Sequence, residues 1–106
     1  MSAELQILKR GRALIANPDA WTQGVFARDS AGYEVSSVDA EAVCFCSLGA
    51  TSRATGSGRA QIWAKAAAAL VNECLFGNLA EFNDSSTHAA VLAMWDRAIA
   101  KLEGTV

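Results

Sequence analysis

The sequence predicts a mainly α-helical α+β fold: a compact bundle of about four helices, with one β-hairpin between the first and the second. Three observations predict it. Four stretches carry apolar residues at helical spacing. Between the first two, the period shortens to two on either side of an Asp-Ser-Ala-Gly turn at 29–32. Alanine supplies much of an apolar fraction of 52%, which suits closely packed helices.

The first helix is expected over 3–16, because Ile7, Leu8, Gly11, Leu14 and Ile15 form one stripe, with Gln6, Lys9, Arg10 and Arg12 mostly off it. Asn17 precedes Pro18, whose ring disfavours helical geometry for the residue before it, so the helix stops there. Pro18 then opens a short helical turn that carries Trp21. Val25–Arg28 and Tyr33–Val35 flank the turn, where Asp29 at its head and Gly32 at its end suit a type I turn closed at positive φ. A lone hairpin is marginal in water, so one of its faces must pack on the helices.

Ser37 or Asp39 is expected to cap a second helix over 40–54, tightly packed through Val43, Phe45, Cys46, Leu48, Gly49 and Ala50. Glu41 in its first turn suits the helix dipole. Thr55-Gly56-Ser57-Gly58 reads as a flexible break. A third helix is expected over 59–76, with Ile62, Trp63, Ala66, Leu70 and Cys74 buried and Gly77 as its C-terminal cap. The segment 78–82 has no clear type, and 83–87 reads as a polar loop. The last helix, 88–103, is the most regular, with Val91, Leu92, Trp95, Ile99 and Leu102 in one stripe ended by Gly104.

At 106 residues the chain is one domain, 1–106, large enough to hold a core without staples. Charged residues are 19% and mean hydropathy is +0.18, too apolar for disorder. A net charge of −2 and a pI near 5.2 give no general attraction to nucleic acid or anionic membranes. The basic cluster Lys9, Arg10 and Arg12 reads as a solvated helix face. No stretch approaches the roughly 18 apolar residues of a membrane span, and 1–17 carries no export signal. Three cysteines, Cys44, Cys46 and Cys74, are an odd number for a disulfide scaffold. A cytoplasmic protein with reduced thiols is the expectation.

Three polar clusters could carry chemistry. In the first, Trp21-Thr22-Gln23-Gly24 leads towards Arg28-Asp29; the favoured reading is a tryptophan anchoring the junction of helix and hairpin. In the second, Cys44 to Ala50, a thiol near a helix start could ionise readily. The favoured reading is instead a small buried side chain at Cys46, with Gly49 letting another helix approach. In the third, Asn83 to His88, a capping loop is favoured over an anion site or a basic role for His88, the single histidine.

Together Gln23, Cys46, His88 and Asp84 or Asn83 have the residue types of a thiol hydrolase. Cys46 would be the nucleophile, His88 the base, Asp84 or Asn83 its orienter, and Gln23 an oxyanion donor. A zinc site from Cys44, Cys46, Cys74 and His88 lacks a Cys-x-x-Cys pair, and the glycine-rich run 49–58 lacks the Gly-Lys-Ser/Thr of a phosphate loop. No metal and no cofactor is expected.

Taken as a set, these clusters resemble a family of small, uncharacterised bacterial proteins. Its pattern is matched by Trp21, Thr22 and Gly24, by Ala27, Arg28 and Asp29, by Cys46, Gly49 and Ala50, and by Asn83, Asp84, Thr87 and His88. The resemblance implies that the three clusters belong to one design; it supplies no activity. Two positions depart from it. Ala90 stands where an acidic residue would complete a capping box, so the cap is dispensable or Asp84 substitutes. Phe45 stands where tryptophan is common.

The expected function is a binding or interaction module, with self-association or a protein partner, and no membrane or nucleic-acid partner. One alternative is the cysteine hydrolase or transferase using Cys46 and His88. Another is a small-ligand or anion sensor lined by Trp21, Arg28, Asn83, Asp84, Thr87 and His88.

Overall fold

The computed structural model describes residues 2–56 and 59–104, and among them the chain forms five helices and a two-stranded antiparallel sheet. The Cα radius of gyration, 12.6 Å, matches the roughly 13 Å of a folded chain this long.

Helix α1 (Ala3–Leu14) starts under Ser2, whose hydroxyl accepts the Leu5 N–H at 3.2 Å. Leu5, Ile7, Leu8 and Gly11 are buried on its inner face, and Ile15 beyond its end is fully buried. Pro18–Ala20 forms a single 3-10 turn capped by the Asn17 side chain, and Trp21 leaves it extended. Both elements are the expected ones, although α1 ends two residues short of the expected 16 and Trp21 lies just past the turn expected to carry it.

The expected hairpin forms, and a second, unexpected pairing is added to it. Strand β1 (Ala27–Arg28) forms a ladder with β2 (Cys44–Phe45), in the register Ala27 with Phe45 and Arg28 with Cys44, and its other edge keeps the expected pairing with Tyr33–Val35. Flanking bonds extend the ladder: Val43 N–H donates to Arg28 O (2.9 Å) and Cys46 N–H to Phe26 O (3.1 Å). The turn at 29–32 does form, with Gly32 at φ +89° and the Asp29 carboxylate accepting the N–H groups of Ala31 and Tyr33. It closes an antiparallel bridge between Arg28 and Glu34, with Asp29 N–H donating to Tyr33 O (2.9 Å) and Val35 N–H to Ala27 O (3.0 Å). The local pairing leaves Tyr33 73% exposed, whereas the distant pairing carries Phe45 into the core.

That pairing shortens the second helix. Helix α2 runs Ser47–Thr55, not 40–54, and its N-cap is Cys46 rather than Ser37 or Asp39. Val43, expected inside it, is exposed. Ser37 bonds Ser52 through its hydroxyl, and Asp39 O and Ser37 O accept from Arg53 Nη1 at 2.7 and 3.2 Å. Arg53 thereby holds the 36–42 loop on α2, with its guanidinium 5.7 Å from the Phe45 ring centre. Gly49 does admit a close neighbour, but it is the backbone of Phe26 and not a helix: a Cβ there would overlap the Phe26 carbonyl oxygen.

Helix α3 is Ala60–Val71, ending at Asn72, so Gly77 does not cap it and Cys74 lies in the following turn. Ala66 and Leu70 are buried as expected, but Ile62 and Trp63 are half-buried. Of the expected break, Ser57 and Gly58 lie outside the described residues. Glu73 fastens the turn after α3 to the last helix, paired with Lys101 (2.6 Å) and Arg97 (3.7 Å).

The untyped segment and much of the expected polar loop form a further helix, α4 (Leu79–Ser85), capped by the Asn78 side chain on Glu81 N–H. Asn83 and Asp84 are therefore helical. Helix α5 (His88–Gly104) is as expected, with Thr87 Oγ1 accepting the Ala90 N–H at 3.1 Å. The cap survives without an acidic residue at Ala90, and Asp84 does not substitute for it.

The core gathers Ile7, Leu8, Ile15, Phe45, Leu70, Phe82, Val91, Met94 and Trp95 around the α1–α5 contact. Gly11 makes that contact possible: a Cβ there would lie 2.7 Å from two ring carbons of Trp95.

Candidate functional site

All three sequence clusters converge on Asn83, a residue only 1% exposed, the second of them through Ser47 at the start of α2. Helix α4 carries its side chain to the first turn of α2. There Oδ1 accepts the Ser47 backbone N–H (3.0 Å) and the Ser47 hydroxyl (2.9 Å). The same oxygen accepts the Trp21 indole N–H at 3.0 Å. The amide nitrogen donates to Thr22 O (3.1 Å) and to Asp84 Oδ1 (3.0 Å). Asn83 thus caps α2 from a different helix, satisfying one of the N–H groups that a helix start leaves unpaired.

Around it the bonds form a closed set. Trp95 Nε1–H donates to Ser47 Oγ (3.1 Å), so the hydroxyl relays between two tryptophans and one amide. Gln23 Nε2 donates to the carbonyls of Asn83 (3.0 Å) and Ser86 (3.1 Å). Asp84 Oδ1 also accepts the Gly24 N–H at 3.0 Å, where Gly24 adopts φ +84°. The three guanidinium nitrogens of Arg28 reach Thr22 Oγ1, Gly32 O and Gln23 O at 3.0 to 3.3 Å. The 21–24 segment is thereby stitched to α2, to α4 and to the turn beyond β1.

His88 stands at the edge. Its Nε2 is 2.6 Å from the Ile15 carbonyl, an acceptor only, so Nε2 carries the proton. Its ring tilts against Trp21 with centroids 5.4 Å apart. In the neutral ring only Nδ1 is left as a base.

Cys46 is 6% exposed, and its Sγ accepts the Gly49 N–H at 3.3 Å as the N-cap of α2. Burial pushes its thiol pKa up, outweighing the N–H groups of Gly49 and Leu48 that favour the thiolate; nearby Asp84 adds to the rise. The cleft beside it measures about 60 Å³, the size of about two water molecules, and is lined by Gly24, Val25, Phe26, Leu48, Ala80 and Asp84. No hydrogen bond joins Cys46 to His88: one is bound to Gly49, the other to Ile15.

Of the residues expected at a catalytic centre, Gln23 and Asp84 meet around Asn83, while Cys46 and His88 have separate partners. Of those expected around a ligand, Trp21, Asn83, Asp84 and Arg28 are bonded to one another or to backbone. Thr87 caps α5. Among the described residues no group of three His, Cys, Asp or Glu side chains is placed to hold a metal ion, and no helix is long and apolar enough to cross a membrane. Sequence reasoning missed Ser47, the hub between Asn83 and Trp95. Its only local signal is its place after a cysteine that turns out to cap the helix.

Residues 1–101 match the family of unknown function DUF6197, and the chain belongs to that family. No curated protein and no solved structure matches it. The resemblance noted in the sequence, to an uncharacterised family without an assigned activity, is thereby met. The family pattern of Trp-Thr-x-Gly, Cys-x-x-Gly-Ala and Asn-Asp maps onto a fold-building knot in this chain: a helix cap, a glycine contact and a buried amide.

Proposed function

We propose that this member of the DUF6197 family is a binding module that associates through an exposed apolar turn, with a second copy of itself as partner. The observation that carries the reading is the turn after α3. Within six residues Leu75 is 75%, Phe76 50% and Val71 45% exposed. Scattered apolar residues on a surface need no explanation, but three large ones within six residues, at the end of α3 and in the turn after it, mark a contact surface. Phe76 is also pre-positioned, its ring 5.1 Å from that of buried Phe82, so little ordering entropy is lost when a partner covers it. The satisfied network around Asn83 supports the same reading, because its polar groups serve the fold first.

The cysteine hydrolase or transferase using Cys46 and His88 is the other reading, and the geometry favours it less. It needs the buried Cys46 thiol freed from Gly49 and a small cleft opened, and no hydrogen bond joins it to His88. The anion sensor at the start of α5 needs the Asn83 network undone.

Sedimentation velocity over a wide concentration range tests the proposal, with Leu75→Asp alongside. The expected result is a mass that rises with concentration in the wild type and stays monomeric in Leu75→Asp at an unchanged helical signal. A wild type that remains monomeric throughout, indistinguishable from the variant, overturns it.

A further inference from the structure

A second surface, built on other elements, has a different chemistry. The groove between α1 and α2 is lined by Arg10, Ala13, Leu14, Arg53 and Ala54 and encloses about 490 Å³. Its floor is aliphatic and two guanidinium groups flank it. Four cations on other surfaces are paired with carboxylates: Lys9 with Glu103, Arg12 with Asp96, and Arg97 and Lys101 with Glu73. Among the described residues, neither Arg10 nor Arg53 has a carboxylate within ion-pair distance.

Arg53 is held in place rather than free to sample rotamers. Its Nη1 binds two loop carbonyls and its plane lies near the Phe45 ring, while Nε and Nη2 make no hydrogen bond among the described residues. That pair of N–H groups is the edge of a guanidinium that takes a carboxylate in two parallel bonds. Because the side chain is already ordered, an anion meeting it loses less entropy than at a mobile lysine.

We infer that this groove docks an acidic segment of a partner protein, in which a carboxylate side chain is flanked by apolar ones. The carboxylate would bridge the two arginines, and an apolar neighbour would cover Ala13, Leu14 and Ala54. Two arginines without a carboxylate partner, set over an apolar floor, make a surface complementary to such a segment. The surface lies on α1 and α2 and does not depend on the α3 turn, so either proposal can fail alone.

The probe is a fluorescein-labelled, end-blocked peptide of alternating leucine and glutamate, followed by anisotropy. An analogue with glutamine for glutamate serves as control. Arg53→Gln also releases the 36–42 loop, so Arg10→Gln and Ala13→Glu carry the test; both positions are exposed. Saturable binding is expected that weakens about tenfold in Arg10→Gln, at least as much in Ala13→Glu, and further with added salt. The glutamine analogue should not bind. Absence of binding, equal binding of the analogue, or equal binding by both variants overturns the inference. If benzoate shifts the Arg10 and Arg53 Nε–H resonances as far as the peptide does, the groove is a small-anion site and the peptide assignment falls.

Discussion

Replacing Asn83 with alanine removes one oxygen that three donors share and one nitrogen that serves two acceptors. The consequences differ by partner. Ser47 is fully buried, so its backbone N–H is left without water or acceptor; the Trp21 indole, half-buried, is partly rescued. The Ser47 hydroxyl can rotate to another acceptor, and exposed Asp84 finds solvent. Each orphaned buried donor costs about 1–3 kcal/mol, so the sum is about 2–4 kcal/mol. That is a large share of the roughly 5–15 kcal/mol expected of a domain this size. The assay is urea unfolding followed by far-ultraviolet circular dichroism, which avoids the tryptophan signal. A double-mutant cycle sharpens it. Trp21→Phe alone should cost about 1 kcal/mol, and clearly less in the Asn83→Ala background, where it removes an orphaned donor. A loss below about 1 kcal/mol for Asn83→Ala, or equal costs of Trp21→Phe in the two backgrounds, refutes the account.

Packing and caps set the cost of other substitutions. Gly11→Ala gains about 1 kcal/mol of helix propensity, but its Cβ meets the Trp95 ring at 2.7 Å, so thermal unfolding should show a net loss. Gly49→Ala should be worse, because its obstacle is the Phe26 backbone rather than a side chain that can shift. Thr87→Ala should cost about 1 kcal/mol by the same denaturation assay, since Thr87 caps α5. Cys46 should alkylate more slowly than Cys44 in the native state and be unaffected by His88→Ala, as mass spectrometry of each site would read. Because burial raises its folded-state pKa, the unfolded chain releases the proton first. Stability from this thiol is therefore fully present below the free-thiol value of about 8.5 and lost as pH rises through the folded value. Cys46→Ala should flatten that alkaline decline.

Local chemistry made the elements with short-range causes legible. The stripe of α1, its stop at Asn17-Pro18, the Asp29–Gly32 turn and the whole of α5 depend on neighbours within a few residues, and the chain adopts them as read. So did the family likeness, which rests on residue identity alone. The site residues were visible as residue types, and Trp21, Asn83 and Asp84 do meet. What they meet through was not visible, because Ser47 and Trp95 enter the network from elements 36 and more residues away.

Tertiary structure decided the rest. Residues 40–46 have the alanine and acidic content of a helix start, yet 40–41 form a turn and 43–46 join a strand ladder. Pairing with 26–28 buries Phe45 and satisfies backbone groups on both strands, a gain no local window contains. Residues 83–85 read as a capping loop because Asn, Asp and Ser compete with the helical backbone in isolation. In the folded chain α4 continues through them, because Asn83 there reaches the unpaired N–H of another helix and Asp84 reaches Gly24. The sequence by itself determined a helical chain with its first and last helices in place. Long-range hydrogen bonds to buried groups, whose loss costs more than a local propensity can repay, determined where the strands pair and which polar residues the core keeps.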